Sequence, residues 1–561
     1  MDRRAFLTAN KKVQPVSIAK QHTVAGRTTT GLAIYTGPWT KSEVTHLLKR
    51  TMFGSRIGDI NYFAAKTMSE AVDELLNPVA PLPAPPLKDY DGVTGVTTPD
   101  NDVANGATWI NSVNNDGTIQ SRRRASFKKW WMGCILQQDR SIREKMTLFW
   151  HNHFATETVD VSNANLLYKH ANLLRTKALG NFKQLVRDIS LDPAMLVYLN
   201  GRVNTATAPD ENYARELQEL FTLGKENNPN YAEADVKAAA KVLTGWRVDT
   251  TVNTFPSYFT SSRHDATNKT FSSFYGNTTI TGRTGTTAGD VELDDLLNMI
   301  FAKNVEVSRF MAKKLYRFFV HYDIDAAAET NVIEPLALIL RTSNWEIKPA
   351  LQTLFKSEHF FDVLNRGAMI KSPIDHVVAL CREWEVVFPD VATLYADTYG
   401  MWNYVMSVAA ANQQNIGDPP NVAGWPAYYQ VPQFYELWVN TDTLPKRNQF
   451  SDLMIGNGYS RNGKKIVIDA VEFTKKLSNP GDPNELINEL FEILFQIPIS
   501  QQAKDQLKKD FLLTGQDSDY YWTNAWNIYL ASPVTANYNV VNTRLRGLFK
   551  YCMNLAEYQL A

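Results

Sequence analysis

Residues 141–153 read Ser141-Ile142-Arg143-Glu144-Lys145-Met146-Thr147-Leu148-Phe149-Trp150-His151-Asn152-His153, and they set the fold class. Met146, Phe149, Trp150 and His153 fall at i, i+3, i+4 and i+7, the spacing that lines one side of an α-helix. Ser141 and Glu144 stand in capping-box order, in which hydroxyl and carboxylate satisfy amides left open at a helix start. The same period recurs downstream. Asp210 is placed to cap a helix with Tyr213, Leu217, Leu220 and Phe221 as its stripe and Gly224 as its end. A third helix starts near Glu233, turns Val236, Ala239, Ala240 and Leu243 inward, and closes at Gly245.

Outward from this block the helical patterns continue. They open near Thr40 and Met68, return over 292–301, 308–321, 332–340, 348–355 and 374–387, and fill most of 469–561 after a short strand-like run at 464–468. Two stretches break the period. A proline cluster at 78–86, followed by Gly, Asn, Asp and Thr to 117, predicts a linker and a long loop over the surface. Residues 248–289 are rich in Thr, Ser, Phe, Tyr and Gly, with alternation at 278–281, and predict a loop or small β insertion. The expected fold is therefore mainly α: a large multi-helix body with irregular or small β insertions and an extended N-terminal tail. The expected organisation is a tail or atypical export signal at 1–39, a main helical domain at 40–450 with insertions at 78–120 and 248–289, and a C-terminal helical extension at 451–561 packed on the main body. No fixed-period repeat supports a solenoid.

Composition narrows the classes. With 561 residues and 44% hydrophobic residues the chain has material for a large core, which excludes a disordered or disulfide-stapled protein. Lys+Arg and Asp+Glu are both 58, so no bulk positive charge argues for nucleic acid. The basic run Arg122-Arg123-Arg124 with Lys128-Lys129 reads as a solvated helix face. Cys134, Cys381 and Cys552 are too few and too scattered for a disulfide framework or a paired-cysteine zinc site, and read as buried small hydrophobes. Nothing approaches the roughly 18 consecutive apolar residues of a membrane span. Arg3-Arg4-Ala5-Phe6-Leu7 has the twin-arginine look of an export signal, but Thr8 to Lys12 supply no apolar run behind it.

Several strings together carry a family resemblance. They are Phe149-Trp150-His151-Asn152-His153-Phe154, Asn212-Tyr213-Ala214-Arg215-Glu216-Leu217 with Phe221-Thr222-Leu223-Gly224, and Asp235-Val236 leading to Leu243-Thr244-Gly245-Trp246. Further along stand His264-Asp265 with Lys269, Lys371-Ser372-Pro373, and Pro419-Pro420-Asn421-Val422-Ala423-Gly424-Trp425. In this order, over about 40–447, the chain resembles the bacterial family catalogued as domain of unknown function 1800. The resemblance implies an exported protein, periplasmic, outer-membrane-associated or extracellular, with a cytoplasmic place left open by the truncated signal. It also implies a protein partner from a second family, domain of unknown function 1501, which resembles the alkaline phosphatase and sulfatase class. This chain departs from the family pattern in the missing apolar run and in its insertions at 86–117 and 248–289.

The polar residues leave two functions open. His151 and His153 are candidate metal ligands, since imidazole suits zinc, manganese and iron. On a continuous helix, however, i and i+2 lie about 200° apart and cannot share one ion; His153 also fits as a core histidine on the apolar stripe. Glu216, at the edge of its stripe, is expensive unless paired or ligating. His264 and Asp265 lie in the insertion beside Arg263 and Lys269. Brought together, His151, His153, His264, Glu216 and Asp265 would have the ligand types of a divalent-metal hydrolase, with Arg215 or Lys269 to hold an anionic group. Trp425, Tyr428, Tyr429 and Trp438 are the candidate contacts for a protein partner or a surface glycan; the alternative, weighed above it for this proline-rich stretch, is a rigid loop that packs its rings onto the helical body. The preferred expectation is a noncatalytic, envelope-associated partner-binding protein; the alternative is the metal-dependent hydrolase.

Overall fold

A computed structural model describes residues 27–92, 96–224 and 231–561, so the twin-arginine segment lies outside the described residues. The structure is 57% helical. The helices that position the sites are α1 (Lys41–Thr51), α2 (Gly117–Leu136), α3 (Arg143–His153), α4 (Ala164–Thr176), α5 (Asn212–Glu216), α6 (Glu233–Val242), α7 (Ala288–Phe301), α8 (Asn304–Phe319), α9 (Pro373–Glu383), α10 (Val391–Ala411), α11 (Thr443–Ile455), α12 (Tyr520–Ala531) and α13 (Thr535–Asn554). Further helices fill out the body, and the strands among the described residues form three two-stranded antiparallel sheets: β1 (Trp246–Val248) with β2 (Ser257–Phe259), β3 (Lys269–Thr270) with β4 (Thr279–Ile280), and β5 (Tyr459–Arg461) with β6 (Lys464–Ile466). The first two hairpins occupy the stretch expected as a β insertion. The mainly α expectation holds.

Local chemistry explains most starts and stops. Thr40 and Glu43 close a capping box on α1. At α3 the expected box does not form. Ile142 takes the cap position, and Glu144 is buried against Arg175 of α4, with N···O distances of 2.6 and 3.0 Å. The buried ion pair with Arg175 takes the carboxylate that a capping box would have used. The helix begun by α5 widens into a π-helical stretch, Leu217–Thr222, and ends at Gly224, where φ is +79°.

One contiguous hydrophobic cluster runs from Val44 to Tyr558, so the first and last helices share a core. The boundary expected at 450 falls inside α11, which packs against α13. Residues 27–39 contain no helix and lie along the chain at 356–359: Tyr35 N–H donates to the Lys356 carbonyl (2.8 Å) and Glu358 N–H to that of Ala33 (2.8 Å).

The acidic residues of the loop before α2 meet the basic run on that helix. Arg123 is wholly buried and holds Asp100 (2.8 Å), Lys129 holds Asp89 (2.6 Å), and Arg122 holds Asp91. The solvated face expected for this run is thus corrected at Arg123, whose charge is matched by a carboxylate brought from the loop.

Candidate functional site

The last turn of α3 carries both histidines of the Trp-His-Asn-His string, and they face different surroundings. His153 donates from Nε2 to the Phe221 carbonyl (3.1 Å) among the rings of Phe149, Phe154 and Phe310. His151 stands edge-on to Trp131 and Trp425, and neither ring nitrogen has a hydrogen-bond partner. Burial, helped by the nearby His170, pushes His151 down to about 3, and burial holds His153 well below the usual imidazole range. Asn152 between them docks another element. Its Oδ1 accepts the Trp425 amide (2.8 Å), and Gly424 packs so closely that a Cβ there would lie 2.3 Å from that oxygen. This string thus fastens the proline-rich loop to α3, a role that leaves no local sign in the sequence.

The insertion builds a separate buried network. His264 Nδ1 donates to the Thr244 carbonyl (3.0 Å), and its Nε2 lies 3.1 Å from Glu292 Oε1 on α7. Lys269 reaches the other Glu292 oxygen at 2.5 Å and also donates to the Asp265 carbonyl. Burial pushes the Glu292 carboxyl up, but His264, Lys269 and the Arg283 amide (2.7 Å) together hold it below the usual carboxylate range. Glu292 was not among the residues expected to act; it sits on a helix 23 residues from Lys269 in sequence, and no local pattern joins the two. Asp265 serves a turn: its Oδ1 accepts the Thr267 amide (2.8 Å).

Arg215 pairs at the surface with Glu211 (3.2 Å) and Glu233 (2.7 Å). Half-buried Glu216 lies near Tyr198 and Tyr231, whose phenols its charge helps push up after burial. The structure therefore joins His264 with Lys269 and Glu292, and places His151 and His153 in other environments. Among the described residues no group of three His, Cys, Asp or Glu side chains is arranged to hold a metal.

The aromatic loop turns its tryptophans inward, the packed arrangement weighed above an open contact surface in the sequence. Trp425 and Trp438 are only 1% and 4% exposed. Tyr429 accepts from Asn421 Nδ2 (3.0 Å). Tyr428 lies between Phe318, tilted against it, and Trp438, edge-on to it. Tyr428 and Trp438 line a crevice of about 30 Å³ with Lys145, Arg317, Ser372 and Asp375, room for a water or two. Lys145 is ion-paired to Asp375, which accepts from Ser372 Oγ (2.9 Å); Ser372 in turn caps α9. The neighbouring Lys371 points elsewhere: buried 4.2 Å over the Tyr558 ring, 3.8 Å from Glu383, it is pushed down to about 7 by burial.

Large apolar side chains are exposed at several places among the described residues, and one group of them lies on the C-terminal helix pair. Tyr520, Tyr521, Ile528 and Leu530 of α12, Val534 before α13, and Val540 and Tyr551 on it are exposed, Tyr520 by 64%. Val540 and Tyr551 lie 11 residues apart, three helical turns, and so share a face. Arg544, on the same helix, bonds the Tyr521 carbonyl (2.9 Å), tying the two helices together. Tyr520, Tyr521 and Ile528 lie opposite the buried Trp522, Trp526 and Tyr529 that seat α12 on the body.

These features define a large helical protein with buried internal ion pairs and exposed apolar side chains on its C-terminal helices. The chain belongs to the family described as Protein of unknown function (DUF1800), whose sequence model matches residues 46–560 and so extends over the C-terminal helices beyond the motifs. No curated protein and no solved structure matches the chain. No helix among the described residues is long and apolar enough to cross a membrane.

Proposed function

We propose that this protein is a noncatalytic partner-binding component of the bacterial envelope or cell surface, exported from the cytoplasm, and that it docks a second secreted protein. The exposed apolar and aromatic face of α12 and α13 supports this reading. Seven of the large apolar side chains exposed to solvent fall on these two helices and the link between them, and tyrosines are enriched where proteins meet. The family resemblance points to a partner resembling the domain of unknown function 1501 family. The contact surface moves from the aromatic loop, which is committed to the interior, to the C-terminal helices. The metal-hydrolase alternative draws no support from the geometry, because His151, His153 and His264 have separate surroundings.

Co-expression with a neighbouring domain of unknown function 1501 protein, followed by affinity capture and size-exclusion chromatography, tests the proposal. A complex is expected. Tyr520→Asp with Ile528→Asp should weaken it about 100-fold while leaving the melting temperature unchanged, because neither side chain is in the core. Failure to form a complex, or a complex indifferent to both substitutions, overturns the reading.

A further inference from the structure

Residues 80–87 pass over α2 and α10 as a strap whose prolines, Pro81, Pro83, Pro85 and Pro86, have no amide to donate. Side chains from below hold its carbonyls instead. Trp130 Nε1 donates to Ala84 (2.6 Å), Ser126 to Leu87 (2.6 Å), and Arg143, the first residue of α3, to Ala80 (2.7 Å) and Pro81 (3.1 Å). Between strap and helices lies a cavity of about 370 Å³, the size range of small-molecule sites. Leu82 of the strap and Gln137, just past α2, line it and are exposed to solvent.

The walls are mostly apolar, with rings from Trp130, Tyr399 and Trp402. Trp402 packs against α2 only because residue 133 is glycine, since a Cβ there would stand 2.5 Å from the indole.

Among these walls stands one charge without a counter-charge. Arg143 lines the cavity and is only 7% exposed, yet no carboxylate among the described residues pairs with it. It donates to the two strap carbonyls, which take two of the five N–H groups of a guanidinium. The two carboxylates that also line the cavity are engaged elsewhere. Glu144 is held by Arg175 (2.6 Å), while Asp139 accepts from the Ser141 hydroxyl (2.7 Å) and its charge bears on Arg382. A buried charge is expensive unless it is paired, and the planar fork of arginine matches a carboxylate.

We infer that the cavity beneath the proline strap binds a small aromatic carboxylate, its ring against Trp130 and Trp402 and its carboxylate on the Arg143 guanidinium. The strap carbonyls hold that guanidinium in place before a ligand arrives, so little side-chain freedom is lost on binding. A neutral or cationic ring of the same shape gains the aromatic contact but leaves Arg143 without its counter-charge, and binds more weakly. This site is independent of the partner-binding face.

Isothermal titration of the full chain with benzoate tests the inference, with benzamide and benzylamine as neutral and cationic rings of the same size. Benzoate should bind, and the other two at least about tenfold more weakly, the cost of losing a hydrogen-bonded charge pair. Arg143→Met should bring benzoate down to the affinity of benzamide. Absence of benzoate binding at about 10 mM, a ceiling for fragments, overturns the inference, as does a benzamide or benzylamine affinity within about tenfold of that of benzoate. A folded Arg143→Met variant that keeps the preference for benzoate overturns it too. If that variant does not fold, soaking crystals of the unaltered protein with 4-bromobenzoate decides. Bromine density beneath residues 80–87 supports the site, and density elsewhere or none overturns it.

Discussion

Replacing Glu292 by Gln removes the one carboxylate that Lys269 and His264 share, and leaves a lysine ammonium buried without its counter-charge. Breaking one partner of such a pair costs about 3–5 kcal/mol, far more than the intact pair contributes over a well-packed apolar substitute. Glu292→Gln should lower the unfolding free energy by that amount in urea titrations, and adding Lys269→Met should recover a large part of it. A loss below about 1 kcal/mol in the single variant would mean that water reaches Lys269. His264, Asp265 and Lys269 were legible in the sequence as polar residues clustered in a Ser/Thr-rich insertion. Their partner was not, because Glu292 sits on a helix brought back by the fold. Glu144 repeats the lesson: its position after Ser141 predicts a cap, and only the tertiary arrangement offers it Arg175 instead.

Helices with an unbroken stripe were legible, as α3, α6 and α7 show, since burial of one face imposes a period that survives in the sequence. α10 was not among the expected helices, although Asp390 caps it. Its backbone departs from helical geometry at Leu394 (φ −130°, ψ 40°), which shifts the phase of the apolar residues before and after. The π-helical stretches Leu217–Thr222 and Glu329–Ile333 shift the stripes beside them in the same way. The direction of the aromatic loop was open in the sequence for another reason. Composition shows rings and prolines but not which way they turn, and their direction is set by Asn152 and by Gly424, whose φ is +91°. Gly424→Ala forces a Cβ both into left-handed backbone and against Asn152. It should destabilise the chain by about 1–3 kcal/mol or more. Loop release should appear as faster amide exchange over residues 421–438 by mass spectrometry, and unchanged exchange there would show that the contact does not hold the loop.

At the scale of the whole molecule, composition foretold a neutral chain with a large core, but not that most of its nine histidines would lie inside it. Burial is the leading cause that holds His46, His151, His153, His321, His359 and His376 below the ordinary imidazole range, His151 and His321 at about 3. In the unfolded chain each titrates near 6.5. Between about pH 6.5 and 3 the unfolded state therefore binds more protons than the native one, and stability falls as pH falls through that window. Each ring contributes up to about 1.4 kcal/mol per pH unit, so the set amounts to several kcal/mol between pH 6.5 and 5.5, against a total stability of about 5–15 kcal/mol. Carboxylates held below their ordinary range, Glu292, Asp100 and Asp418, lose their contribution only nearer pH 4, so the first part of the decline belongs to histidine. Urea midpoints measured at pH 7.5, 6.5 and 5.5 should be nearly level over the first step and drop steeply over the second. Level midpoints down to pH 5 would show that the native rings take up protons as readily as the unfolded ones, and that the aromatic packing around α3 opens to water.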